Sequence, residues 1–448
     1  MNLKKLLGDR PFWHFVAKLA IPVAIQNLLT SSFQLVDTLM ISRLGDVTLS
    51  AVGMAAQWGW LCNLLGFGLA SGMSVFISQY WGIKDTKGIR RVLGIGILSS
   101  LILSLSFTAV ALLCPEVVIR LFNKDASVIT EGCKYLRLVC FSYPAIILTN
   151  ILATVLRNTE RVKLPMYVAG ITTVINIFVD YGLIFGKFGM PELGVEGAAI
   201  ATCISSWLGP VLLLLFSWFE KNLLIGPVKD LFSFNKENVL SFLARAMPVV
   251  FNEGLWALGT IVLNMIYSNQ GYEYYAGTTI FRTFGDLAFA FYVGLGNACV
   301  IMVGKSIGKG NIRIALDDAA RFTFLAPLLG LVIGGLCIIF RSPLVSLFAT
   351  GSNLSELTIS TAMAVTVFCS AEVAFRNLPY IHVVGVFRSG GDTLRGMLYD
   401  LLCLWGISIP VALIAANVLH LPFIAILAAA YLGEDVPKSI LCMRHFRP

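Results

Sequence analysis

A chain of 448 residues with 57% hydrophobic and only 13% charged side chains carries about half the charge of a soluble domain, where about 25% is usual. So few ions cannot cover a water-facing surface, which excludes a cytosolic enzyme and a disordered chain. The net charge of +8 comes from 33 Lys and Arg scattered between apolar blocks, not from the single basic face that nucleic acid requires.

A helix crossing the bilayer core needs about 20 mostly apolar residues. In chain order such windows fall near 13–41, 50–80, 92–114, 132–156, 166–187, 195–218, 239–268, 275–304, 320–340, 358–386, 396–417 and 419–441. The expectation is an all-α membrane protein of twelve transmembrane helices. The start, MNLKKLLGDRPFWHFVAK, lacks a short apolar core with a cleavage site and reads as a cytoplasmic lead into the first span. Lys4, Lys5 and Arg10 begin a series of basic short loops that continues at 82–91, 157–163, 220–238, 305–321 and 388–395 (Arg388, Arg395). It ends in a tail with Lys438, Arg444 and Arg447. The alternate loops hold little more than Arg43, Arg120, Lys124, Lys187 and Arg341. Lys and Arg concentrate on the cytoplasmic side, so both termini are expected there, in the plasma membrane. Most of the ten Cys lie inside apolar stretches and read as small buried residues, not as a disulfide scaffold.

The second half aligns on the first at an offset of 226. Pro22 meets Pro248, Gly45 meets Gly271, Gly68 meets Gly294 and Gly82 meets Gly308. The basic loops GIKDTKGIRR (82–91) and GKGNIRIALDD (308–318) coincide, and LRNTERVKLPM (156–166) resembles FRSGGDTLRGM (387–397) after a small slippage. An even number of spans per half makes the repeat parallel. Two pseudo-symmetric six-helix bundles around a central cavity are the expectation, with lobes at 1–219 and 239–448 and a linker at 220–238.

Charges inside spans are costly and need an account. Arg282 with Asp286, and Glu372 with Arg376, are four apart and can pair along one helix face. Asp400 follows Arg395 by five and reads as interfacial or paired with it. Asp37, Asp180 and Glu253 have no base within helical reach. Asn176 precedes Asp180 by one turn, and Thr202, Thr172 and Thr173 add hydroxyls. Two carboxylates, an amide oxygen and a hydroxyl suit a hard cation such as Na⁺, with Asp37, Asn176 and Asp180 as its ligands. The same two acids, if close and desolvated, would instead share a proton. The plainer alternative is that each acid bonds a neighbouring helix. Glu253 sits mid-span with Trp256 a turn on and Asn27 at its repeat position, a set that could hold an organic cation by charge and ring face. Its plainer alternative is a hydrogen bond across the bundle. Glu372 completes the candidate substrate residues.

GKS at 304–306 lacks the earlier Gly of a phosphate loop, Cys299 standing in its place. GFGLASG (66–72) lies mid-span with no preceding strand. Four His and no spaced Cys/His set give no metal centre, and no nucleophile–base pair stands out. No enzyme activity and no cofactor are expected, so energy must come from an ion gradient.

The segments VDTLMISRLG (36–45), NIFVDYGLIFGKFGMPELGVEGAAIAT (176–202) and FRSGGDTLRGMLYDLLCLWGISIP (387–410) resemble the multidrug and toxic compound extrusion (MATE) transporters, most closely the branch related to the DNA-damage-inducible protein F. The resemblance implies a cation-coupling site at Asp37, Asn176, Asp180 and Thr202. It also implies export of small cationic or amphipathic compounds in exchange for H⁺ or Na⁺, by a monomer in the bilayer. The family's other large bacterial branch carries acids in the seventh and tenth spans; here Glu253 lies about a turn earlier and Asn377 stands nearest in the tenth. A lipid-linked oligosaccharide flippase of the same superfamily is the alternative, which would need cavity bases such as Arg282 and Arg376.

Overall fold

The computed structural model of the chain describes residues 8–121, 125–349 and 355–446, so Lys4, Lys5, Lys124 and Arg447 of the loop tally lie outside the described residues. Among these residues the fold is helical throughout. The first half runs α1 (Arg10–Ser42), α2 (Asp46–Gly82), α3 (Thr86–Leu113), the short α4 (Pro115–Arg120), α5 (Ala126–Val139), α6 (Ser142–Asn158), α7 (Lys163–Phe185) and α8 (Val195–Phe219). A single turn, α9 (Val228–Leu231), precedes the second half. That half runs α10 (Lys236–Ser268), α11 (Tyr272–Gly308), α12 (Ile312–Ile339), α13 (Arg341–Ala349) and α14 (Glu356–Tyr380). It closes with α15 (Arg388–Gly390), α16 (Thr393–Cys403), α17 (Ile409–Asn417) and α18 (Phe423–His445). Two π-helical stretches, Ile381–Phe387 and Leu404–Ser408, bridge α14 to α15 and α16 to α17.

Ten of these helical stretches are long and apolar enough to cross a membrane, and α5 with α6, bent by 47° at their junction, makes an eleventh. The twelfth window holds α18, a 23-residue helix whose apolar run is broken by Glu434, Asp435 and Lys438. The chain is a multi-pass helical membrane protein, as its composition requires.

The repeat is carried by the helices themselves. α1 and α10, α2 and α11, and α3 and α12 each begin and end 226 residues apart. Gly45 and Gly271 take positive φ of 105° and 140° between the first and second helices of each half, a conformation that side chains resist and glycine allows.

The chain gathers into two compact units: Ile25–Val250, and Met1–Ala24 with Phe251–Pro448. They are called the first-half and second-half units below. The division falls inside α1 and α10 instead of at 220–238, because glycines bind the start of each helix to the other half's bundle. A Cβ on Gly72 would stand 2.5 Å from Ala246 Cα, and one on Gly68 2.8 Å from Val250 Cα. In the second-half unit a Cβ on Gly294 would stand 2.5 Å from the Ala20 carbonyl oxygen. Backbones this close leave no room for any larger residue.

The 220–238 stretch is also attached. Arg90 of α3 donates to the carbonyls of Leu223 (3.3 Å) and Ile225 (3.1 Å) and pairs with Asp230 at 3.1 Å. Gly94 lets the Leu231 carbonyl rest directly on the helix. The first-half core runs through Met73, Ile77, Leu93, Leu136, Ile147 and Ile151. The second-half core gathers Tyr267, Val365, Leu404, Phe423 and Leu427.

Candidate functional site

In the first-half unit the sequence-predicted acids lie together and lack partners. α7 places Asn176 and Asp180 one turn apart, each only 1% exposed. Asp37 comes from the second part of α1, near enough for its charge to act on Asp180. Asp37 Oδ1, Asn176 Oδ1 and both carboxylate oxygens of Asp180 are enclosed and accept no hydrogen bond. Buried polar atoms without a partner are rare and costly; here there are four, all acceptors. The amide end of Asn176 is fixed instead, its Nδ2 donating to Ser205 Oγ at 2.9 Å. Ser205 in turn donates to the carbonyls of Ala201 and Thr202. These bonds hold the amide nitrogen and leave its oxygen without a donor.

Two neighbours carry no signal in the sequence. Ser205, not Thr202, is the α8 residue that bonds Asn176; Thr202 itself is half-buried and contributes its carbonyl. Tyr135 of α5, 5% exposed, lies within electrostatic range of both Asp37 and Asp180. Thr172 is turned to its own helix, its hydroxyl donating to Val168 and Ala169. Among the described residues no group of three or more His, Cys, Asp and Glu is placed to hold a metal ion. The cluster has two carboxylates, and an amide oxygen is its third acceptor.

In the second-half unit Glu253 and Asp400 are compensated, and several sequence expectations are corrected. Glu253 is not an unpaired acid: Arg388 Nη2 donates to its Oε1 at 2.7 Å, with the two side chains 3% and 13% exposed for Arg388 and Glu253. Arg388 is not the basic-loop residue that its place in the sequence suggests. It lies on α15, after a π-helical stretch whose wider turn shifts the helical phase and carries the Arg388 side chain inward. Asp400 pairs not with Arg395 but with Lys438, at 2.9 Å, and accepts from Asn252 Nδ2 at 2.9 Å. Arg395 serves Asp392, at 3.5 Å. Lys438 is not part of a basic tail but a buried residue of α18 that also bonds Glu434 at 2.7 Å and lies 3.6 Å from Asp435.

Trp256 and Glu372 line a cavity of about 280 Å³ inside this unit. Glu253 does not line it, and Asn27 belongs to the first-half unit. The two helix-face pairs do not close either. Arg282 Nη1 donates to Asn264 Oδ1 at 3.2 Å, and the Arg376 guanidinium lies 5.2 Å from the Tyr431 ring centroid.

A duplicated helical bundle with a buried acceptor cluster in one unit defines a multi-pass membrane transporter. The MatE family pattern matches residues 22–182 and again 248–414, two segments at the spacing of the internal repeat, and the chain belongs to that family of transporters. It is 26% identical to the probable multidrug resistance protein NorM of Thermotoga maritima, over 90% of this chain and 86% of that one. It is 26% identical to the multidrug resistance protein NorM of Vibrio cholerae, over 79% and 76%. Its fold matches that of an outward-facing multidrug resistance MATE family transporter with a TM-score of 0.88, at 18% identity and covering 99% and 97% of the two chains.

Proposed function

We propose that the chain is a secondary active exporter of small cationic or amphipathic compounds, exchanging them for H⁺ or Na⁺ by alternating access between its lobes. It acts as a monomer in the plasma membrane with both termini cytoplasmic. The carrying observation is the set of four buried acceptors on Asp37, Asn176 and Asp180 that no described residue satisfies. A group of oxygens with no donor is stabilised by what it lacks, a proton shared between the carboxyls or a hard cation held by carboxylate and amide oxygens. Loss of that ion restores unpaired negative charge in the interior. The state that keeps the cluster enclosed is then disfavoured relative to one that opens it to water. The relatives named for multidrug resistance support the cargo class. The flippase alternative needs cavity bases clear of acids, whereas Arg282 and Arg376 share their cavity with Asp286, Glu372 and Glu434.

The test is transport of ethidium into proteoliposomes with a pH gradient and a Na⁺ gradient imposed separately. One gradient drives accumulation in the wild type, and Asp37→Asn and Asp180→Asn each fall to the protein-free background while remaining folded. Full gradient-driven transport in either variant overturns the assignment.

A further inference from the structure

The first-half cluster has four enclosed acceptors without a donor, on Asp37, Asn176 and Asp180. Two donors belong to the same network, the amide nitrogen of Asn176 and the hydroxyl of Ser205 on α8, and neither is given to an acid. The Ser205 hydroxyl has a single hydrogen. It is spent within its own helix, on the carbonyls of Ala201 at 2.9 Å and Thr202 at 3.1 Å. Only lone pairs of Ser205 Oγ remain, so its 2.9 Å bond with Asn176 must be donated by Nδ2. That chemistry fixes which end of the amide is which, and no choice between two similar atoms is left.

A network built only to join α7 to α8 would run the other way. Ser205 would donate to Asn176 Oδ1, and Nδ2 would be free for Asp180, one turn on along the same helix. The same side chains would then leave fewer buried acceptors bare, and bare buried acceptors are costly. The observed arrangement leaves Asn176 Oδ1 and both oxygens of Asp180 without a donor, with Asn176 and Asp180 1% exposed and Ser205 7%. A metal cation and a proton use such a set differently. A hard cation draws on every oxygen that reaches it, an amide oxygen included. A proton sits on one carboxyl and offers one hydrogen bond, so the other oxygens stay bare. An amide held by its nitrogen therefore favours the metal cation.

We propose that Ser205 is a positioning residue that sets the ion preference of the first-half cluster. Holding Asn176 by its nitrogen, it keeps the amide oxygen available as a ligand and tilts the cluster from H⁺ toward Na⁺. The inference deepens the export reading and rests on it for the use of the ion in transport, not for its binding. Binding is measured without any gradient, so gradient-driven export can fail while this role stands, and the reverse.

The experiment is binding of radioactive Na⁺ to the purified full chain at a series of pH values, which separates the affinity for Na⁺ from that of the competing proton. The wild type is expected to bind Na⁺ saturably at neutral pH. Ser205→Ala lets the amide turn and present its nitrogen, and should weaken Na⁺ binding by about tenfold. Proton affinity should fall by a smaller factor, because the proton loses no ligand oxygen. Ser205→Thr keeps both the acceptor and the bond to its own helix and should keep the Na⁺ affinity. In an Asn176→Ala background Ser205→Ala should have no further effect, since the serine acts through the amide. Where Ser205→Ala does not fold, Ser205→Cys, of similar size with a weak sulfur acceptor, is expected to lose Na⁺ affinity in the same sense. Wild-type Na⁺ affinity in either folded variant overturns the proposal. Equal loss of Na⁺ and H⁺ affinity also overturns it, as a loosened helix contact would do no more, and so does a wild type that binds no Na⁺.

Discussion

Asp37 and Asp180 of the first-half unit and Glu253 and Asp400 of the second-half unit face the same problem, a carboxyl enclosed in a helical membrane protein, and meet it in opposite ways. Glu253 and Asp400 each have a base brought from a distant helix, Arg388 and Lys438. Asp37 and Asp180 have none, and the amide nitrogen of Asn176, one turn from Asp180, is given to Ser205 instead. A carboxylate with a buried base is a fixed part of the structure. One without a base is stable only while something mobile supplies the positive charge. On the proposed reading the difference separates scaffold acids from working acids in two halves that share one pattern.

Stability measurements can break this contrast. Lys438→Met strands Asp400, Glu434 and Asp435 together and is expected to cost about 3–5 kcal/mol, read as a fall in thermal unfolding temperature in detergent. Arg388→Gln leaves Glu253 as a lone buried acid and is expected to cost about 3 kcal/mol. The double variant with Glu253→Gln should recover much of that loss, and the absence of recovery would show that the pair is not the source. Asp180→Asn removes a charge that has no protein partner, so thermal stability should hold or rise. A loss in Asp180→Asn as large as that in Lys438→Met would mean the first-half acids are as structural as the second-half ones.

The unpaired acids of the first-half unit were legible in the sequence because helical neighbourhood decides them: no Lys or Arg falls within reach of Asp37 or Asp180 on their own helices. The repeat was legible for a similar reason, since six helices keep a constant offset and the glycines that let backbones touch recur with it. What escaped was set by contacts between helices. Arg388 and Lys438 read as one more loop charge and one more tail charge, because the count of bases near span ends cannot tell a base in water from one turned inward. The π-helical phase shift before Arg388 has no mark in composition. Ser205 stands 29 residues from Asn176, Tyr135 stands 98 and 45 residues from Asp37 and Asp180, and both are ordinary in their own segments. The pairings at spacing four were the clearest sequence signal and failed, because Asn264 and Tyr431, from other helices, reach Arg282 and Arg376 first.

The charge cluster on α18 has a consequence for how the protein is made. Alone, a segment with Glu434, Asp435 and Lys438 near its middle is a poor substrate for insertion into lipid, since each ion adds a penalty of roughly 2.5–3.5 kcal/mol. Its partner Asp400 sits on α16, which is synthesised earlier. The charges of α18 are therefore tolerable only once it packs against α16, where Asp400 supplies a counter-charge already in place.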